Sequence, residues 1–245
     1  MDKWFKEIAT KCELSAEAEQ RLCEDGFVVI EHAAPQSQLP QLSEAYDAAV
    51  LAAHPDDVRV GSASTRVHDF VNRGPAFDEL YLYGPLLAAC CRVIARPFKL
   101  STMLARTLEP GAPAQPLHVD FQRYDDGWPM IGFIMMVDDF RPDNGATRFV
   151  PGSHRTRQSP GDVPGDASAG YDGGALACGR AGAMIIYNGS VCHGHTANRS
   201  ISKRRSIQGA FIRREAEAAM NQSARIRPET LRRIGELAKY LLALE

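Results

Sequence analysis

The sequence predicts a mainly β fold, a β-sandwich or jelly roll braced by helices. Strand-like apolar runs crowd the middle of the chain, helical patterns stand before and after them, and strong turn signals separate the runs. A chain of 245 residues suits one domain with a sizeable core. The expected layout is a helical part over 1–97, a strand core over 98–213 and a C-terminal helix over 228–244.

Ser15 is a candidate N-cap, with Glu17 and Glu19 in the first turn and Gly26 as the stop. Phe27 to Ile30 reads as a short buried strand. Further helices are expected through Leu42 to Ala53 and over Phe77 to Ile94, the latter interrupted near Gly84-Pro85. Phe98 to Leu108 is the first long strand, closed by Glu109-Pro110-Gly111. Pro116 to Gln122 is the next, then a turn at Asp125-Asp126-Gly127 and an apolar strand over Met130 to Val137. Asp143-Asn144-Gly145 signals a hairpin that pairs Ala146 to Val150 back. The Gly-, Pro- and Asp-rich stretch from Gly152 to Gly174 reads as a functional surface loop or a partly disordered one, a candidate cover for the pocket. Ala183 to Tyr187, Val191 to His195 and Ser206 to Ile212 complete the strands. The last helix has Pro228 at N1 and a stripe of Leu231, Ile234, Ala238 and Leu241 that should pack on the sheet.

Composition narrows the function. Apolar residues make up 44% and charged residues 24%, with a formal net charge of -2, so no broad basic field invites nucleic acid. Six cysteines without a C-x-x-C pair suit reduced thiols rather than a disulfide framework. The N-terminus lacks an apolar signal core and no apolar run reaches membrane-spanning length, so a cytoplasmic location without membrane attachment is expected.

Gln115-Pro116-Leu117-His118-Val119-Asp120 is the best local motif. On a strand, residues i and i+2 share a face, so His118 and Asp120 present an imidazole and a carboxylate together. With a distant histidine they make a facial triad that leaves metal positions open for chemistry. His193-Gly194-His195 supplies that histidine after an apolar strand and a tight Asn188-Gly189 turn. Both histidines point one way, so strand geometry does not choose between them. Arg204 follows on the expected neighbouring strand. A metal can take one end of a dicarboxylate while the planar arginine fork takes the other. Alternation puts only one of Arg204 and Arg205 inside.

From Pro110 to Arg205 the chain resembles the phytanoyl-CoA dioxygenase family of iron(II)/2-oxoglutarate oxygenases. The residues that carry this are Pro110-Gly111, Gln115 to Asp120, Asn144-Gly145, Val150 to His154, and His193 through Asn198 and Ser200 to Arg204. His118-Val119-Asp120-Phe121, Tyr124 and Asp126-Gly127-Trp128-Pro129 are similar to the ectoine hydroxylase branch. The resemblance implies a double-stranded β-helix, a cupin-like jelly roll. It implies iron(II) on His118, Asp120 and His193, 2-oxoglutarate as co-substrate with its far carboxylate on Arg204, and O2. Met103 and Thr107 occupy positions that line the co-substrate pocket in the family. His195 stands where the family often has a hydroxyl that contacts the co-substrate, a departure. The spacing to Asn198 and Arg204 matches His193 as the ligand.

The implied activity is hydroxylation of a small molecule with release of succinate and CO2. A carboxylate at Asp120 opposes a halogenase, in which Gly or Ala stands there. A non-catalytic small-molecule binder with the same fold is the alternative, and an intact triad with its arginine opposes it. A cupin-like isomerase has no need of Arg204. Trp128 and Tyr124 either bound the substrate pocket or only pack, and His154 is expected to close a turn. Neither the substrate nor the oligomeric state is legible.

Overall fold

The structure is a computed structural model that describes residues 2–156 and 174–244. Two antiparallel sheets form its centre. Seven strands follow the order β1-β8-β5-β10-β4-β3-β2 and three follow β7-β6-β9. The large sheet comprises β1 (Phe27–Ile30), β2 (Val58–Val60), β3 (Thr65–Val67), β4 (Phe98–Leu108), β5 (Met130–Met136), β8 (Met184–Asn188) and β10 (Arg204–Arg213). The small one comprises β6 (Thr147–Phe149), β7 (Ala175–Ala177) and β9 (His193–His195). This is the expected jelly roll with flanking helices.

The helices cover one face of the large sheet. α1 (Lys3–Lys11), α2 (Ala16–Glu24) and α3 (Leu39–Leu51) precede α4 (Asp78–Tyr81) and α5 (Gly84–Val93). The Ser15 hydroxyl accepts from Ala18 N at 3.2 Å, which fixes the start of α2. Pro85 lies in the first turn of α5 and separates it from α4. Toward the C-terminus, α7 (Gln222–Arg225), α8 (Pro228–Arg233) and α9 (Glu236–Leu241) follow one another. The single helix expected there is broken, because Ile234 is extended and Gly235 starts a new helix. Ile234, Ala238 and Leu241 are buried as expected, whereas the break turns Leu231 outward to 43% exposure.

β5 is buried on both faces, which explains its unbroken apolar sequence. Ile131, Phe133 and Met135 join the core under the helices, while Ile134 and Met136 join Phe149 and Ile185 between the sheets. Each such side chain contributes roughly 1.5–3 kcal/mol when fully buried.

Two expected pairings differ. β6 does not return along β5; it pairs with β7 and β9 in the other sheet. The turn at Asn144-Gly145, with Gly145 at φ 87, carries the chain from one sheet to the other. Asn144 holds it by accepting from Arg141 N at 2.8 Å and donating to Asp139 O at 2.7 Å. The strand expected over Pro116 to Gln122 is irregular. Pro116 lacks an N–H, so Gln115 N bonds His195 O at 2.9 Å and pairing resumes only at His118. The β2–β3 hairpin, absent from the sequence reading, extends the large sheet beyond β4. Of the Gly152 to Gly174 stretch, Ser153–Thr156 forms the short α6. Residues 157–173, on which the expectation of a pocket cover chiefly rests, lie outside the described residues.

Candidate metal centre

His118 and His193 are bridged as an antiparallel pair, each backbone N bonding the other's carbonyl at 2.9 Å. Cross-strand partners share a face, and the two imidazoles meet with ring centroids 4.5 Å apart. Asp120 N bonds Gly189 O at 3.0 Å, which seats its carboxylate beside them. One ligand atom from each of His118, Asp120 and His193 lies within 4.8 Å of the others. Among the described residues this is the cluster with metal-holding spacing, and His195 is not part of it.

The imidazoles are oriented for ligation. His118 Nδ1 lies 3.1 Å from Pro116 O, and His193 Nδ1 lies 3.0 Å from Val191 O. A carbonyl only accepts, so each Nδ1 carries the hydrogen and each Nε2 keeps its lone pair. Burial, opposed by Asp120 and aided by His118, lowers the His193 pKa and keeps the ring neutral, the form that binds a metal. Asp120 is held from behind, where the Tyr187 hydroxyl donates to its Oδ2 at 2.7 Å. Tyr187 lies across Gly132 on β5, where any Cβ would come within 2.2 Å of Tyr187 Cζ.

The cluster opens into a cavity of about 680 Å³ between the sheets. Arg204, on β10, lines it and is only 1% exposed. Its guanidinium stacks over Phe140 at 4.1 Å, and Nε and Nη1 have no hydrogen-bond partner among the described residues. Burial and the nearby Arg106 push its pKa down to about 9. Arg205 faces the other way, pairing with Asp138 at 2.7 Å and Asp47 at 2.8 Å. His195 also lines the cavity, and burial with Arg106 pushes its pKa down to about 3. Its Nδ1 lies 2.9 Å from Thr196 O, and its Nε2 has no hydrogen-bond partner among the described residues.

Met103 and Thr107 do not line the cavity, contrary to the expectation for the co-substrate pocket. On β4 they pair with Gly209 and Arg205 and share the helix-facing side of the sheet. Met103 is buried in the core and Thr107 shares a hydrogen bond with Tyr46 at 2.8 Å. The cavity takes Thr102, Leu104 and Arg106 instead, one residue out of register with the expectation. Trp128 and Tyr124 are absent from the lining. Trp128 packs against Arg123 and His154, and His154 Nε2 bonds Cys23 O at 3.1 Å in the structural role expected. Arg106, Gln115 and Tyr187 carried no assigned role from sequence. Gln115 lay inside the motif and could have been flagged, because it presents its amide 3.4 Å from His118 Nε2. Arg106 becomes legible only once the β4 register is known.

Residues 22–206 match the family model for phytanoyl-CoA dioxygenase. The chain belongs to the phytanoyl-CoA dioxygenase family. Multifunctional dioxygenase AusE of Emericella nidulans is 30% identical over 214 residues, covering 78% of this chain and 71% of AusE. Among solved structures, HygX from Streptomyces hygroscopicus, with nickel and 2-oxoglutarate bound, superposes with a TM-score of 0.69 at 16% identity. That match covers 84% of this chain and 90% of HygX. EctD from S. alaskensis gives a TM-score of 0.68 at 18% identity, over 83% of this chain and 78% of EctD. These structures share the fold. Within the phytanoyl-CoA dioxygenase family the chain is an enzyme, a dioxygenase rather than a binding protein. No helix among the described residues is long and apolar enough to cross a membrane.

Proposed function

We propose that this family member is an iron(II)- and 2-oxoglutarate-dependent dioxygenase that hydroxylates a small molecule, with His118, Asp120 and His193 as the metal ligands. The observation that carries the reading is a buried arginine with two unpartnered nitrogens in the same cavity as a two-histidine, one-carboxylate cluster. Two oriented imidazole lone pairs and one carboxylate suit iron(II). Arg204 suits a dicarboxylate, because its fork can make two parallel charge-assisted bonds to a carboxylate. When bound, iron(II) supplies oxygen activation coupled to oxidative decarboxylation of 2-oxoglutarate, one oxygen atom entering succinate and the other the hydroxylated product.

The chain's own groups set the geometry. Arg204 fixes the far carboxylate of the co-substrate. Tyr187 donates to Asp120 Oδ2 and so fixes the rotation of the carboxylate beside the two imidazoles. The apolar packing of Phe149 against His193, at 5.5 Å, keeps water from the back of the ligand. His195 has a narrower role than a hydroxyl would. Its Nδ1 donates to Thr196 O, so Nε2 offers only a lone pair, and a carboxylate also only accepts. It therefore meets the co-substrate through a water or an arginine N–H.

Anaerobic addition of iron(II) and 2-oxoglutarate should give a weak visible charge-transfer band, lost in His118→Ala and Asp120→Ala. His193→Ala should lose the band, and His195→Ala should keep it. Oxygen-dependent succinate formation across a panel of small molecules then identifies the substrate. Unchanged iron affinity in both the His118→Ala and Asp120→Ala proteins would remove the metal assignment.

A further inference from the structure

Two arginines whose side chains are buried outside this cavity meet carboxylates. Arg73 pairs with Asp57 at 2.8 Å and Arg213 with Asp126 at 2.7 Å. Arg106 is 8% exposed and has no carboxylate partner among the described residues. Its Nε donates to Ser64 Oγ and its Nη2 to Gln115 Oε1, both at 3.1 Å, and both acceptors are neutral. Directly opposite it on β3 stands a second arginine, Arg66, which is exposed. Like charges directly opposite across a strand pair destabilise a sheet, and a buried cation without an anion costs more still. Both arginines line the cavity of the metal centre.

The charge of the cavity points the same way. Its lining holds Arg66, Arg106 and Arg204 against Asp120 and Glu217. A divalent metal and a doubly charged co-substrate add nothing net to that balance. Glu217 belongs to the opposite end, since Ala219 N bonds Ser101 Oγ at 2.9 Å. Ser101 lies five residues down β4 from Arg106, roughly 16 Å at strand spacing. At the Ser101 end Met130, Ala210, Ile212 and Phe121 form an apolar wall, Ala210 pairing with Thr102 and Ile212 with Lys99 and Met130.

We propose that Arg66 and Arg106 form the anion-binding end of the primary-substrate subsite, so that the substrate is a carboxylate-bearing small molecule with an apolar body. The proposal rests on the iron(II)/2-oxoglutarate reading above. Arg204 holds the co-substrate, while the arginine pair on β3 and β4 holds the carboxylate of the molecule to be hydroxylated. Its apolar body lies along the Met130–Ile212 wall, past the metal ligands.

The test uses the full chain loaded with nickel(II), which does not turn over, and 2-oxoglutarate. Octanoate and octanamide serve as probes of equal shape, read by titration calorimetry. Octanoate should bind about tenfold or more tightly than octanamide, a charge-assisted preference. Arg66→Gln, at an exposed position that folding tolerates, should abolish that preference while 2-oxoglutarate affinity stays within about twofold. Equal binding of the two probes, binding of neither, or an undiminished preference in Arg66→Gln would overturn the proposal. A 2-oxoglutarate affinity that falls about tenfold in Arg66→Gln would also overturn it, by assigning the pair to the co-substrate. Failure of the parent protein itself to bind 2-oxoglutarate in the presence of nickel would instead overturn the co-substrate reading.

Discussion

At the scale of single residues, neighbours in sequence with the same side-chain type have opposite fates. Arg204 lies on the cavity face of β10 with two nitrogens unpartnered among the described residues, and Arg205 lies on the other face, clamped by Asp138 and Asp47. Arg204→Lys keeps the charge and loses the fork, so 2-oxoglutarate affinity should fall about tenfold or more. Arg205→Ala should leave that affinity unchanged and lower the melting temperature, because two ion pairs are lost. Titration of both variants by the charge-transfer band, beside their melting curves, separates the two roles. Tyr187 gives a third residue-scale expectation. Tyr187→Phe removes the donor to Asp120 Oδ2 and frees the carboxylate to rotate. Loss of such an outer partner typically weakens metal binding about 10–100-fold. Iron titration without 2-oxoglutarate reads this directly, and an unchanged affinity would show that Tyr187 only fills space.

At the scale of elements, the candidate metal centre depends on strands held close together. Gly132 of β5 leaves the room that the Tyr187 ring of β8 occupies. Gly132→Ala should force the ring or the strand aside, costing about 1–3 kcal/mol in stability and weakening iron binding with it. Chemical denaturation together with iron titration measures both. The contact between α6 and α2 carries a pH signature. Burial lowers the His154 pKa from its ordinary 6.5, while Cys23 O partly supports the charged form. Below 6.5 the unfolded chain takes up a proton that the folded chain resists, so stability is full above that value. It falls as pH drops beneath it, and levels off only below the depressed folded value. His154→Gln should flatten the stability–pH slope between those two values. A slope identical to that of the parent protein would show that His154 does not contribute.

For the whole molecule, the site spans both sheets. His193 belongs to the small sheet and Arg204 to the large one, so a metal with a bound dicarboxylate would link them. A ligand that binds only the folded chain stabilises it by about 2.7 kcal/mol at a hundredfold excess over its dissociation constant. Nickel(II) with 2-oxoglutarate should therefore raise the melting temperature by several degrees. A chelator should reverse the rise, and Asp120→Ala should show none. A rise of equal size in Asp120→Ala would place the binding elsewhere.

Much of this protein was determined by sequence alone, for local reasons. β4 runs over the expected residues, and β5, β8 and β10 sit within two residues of expectation; β5 is the clearest, because a strand buried on both faces must be apolar throughout. His118 and Asp120 were legible as candidate ligands because the motif sets an imidazole and a carboxylate two residues apart, and they meet although their segment is an irregular bridge and not a regular strand. The choice of Arg204 over Arg205 followed from the same alternation once the motif supplied the register. Only the tertiary structure decided the rest. The sheet to which β6 belongs depends on partners 26 and more residues away, Ala175–Ala177 and His193–His195, and no turn signal encodes that. Met103 and Thr107 were misplaced because a one-residue error in register moves every side chain of a strand to the opposite face. The bridge to His118 brings His193, and not His195, into the cluster with metal-holding spacing, and Arg106 is set across from Arg66 by the pairing of β3 with β4. Each of these is a pairing between distant segments, and pairing is settled by the packing of the whole chain, not by any stretch of it.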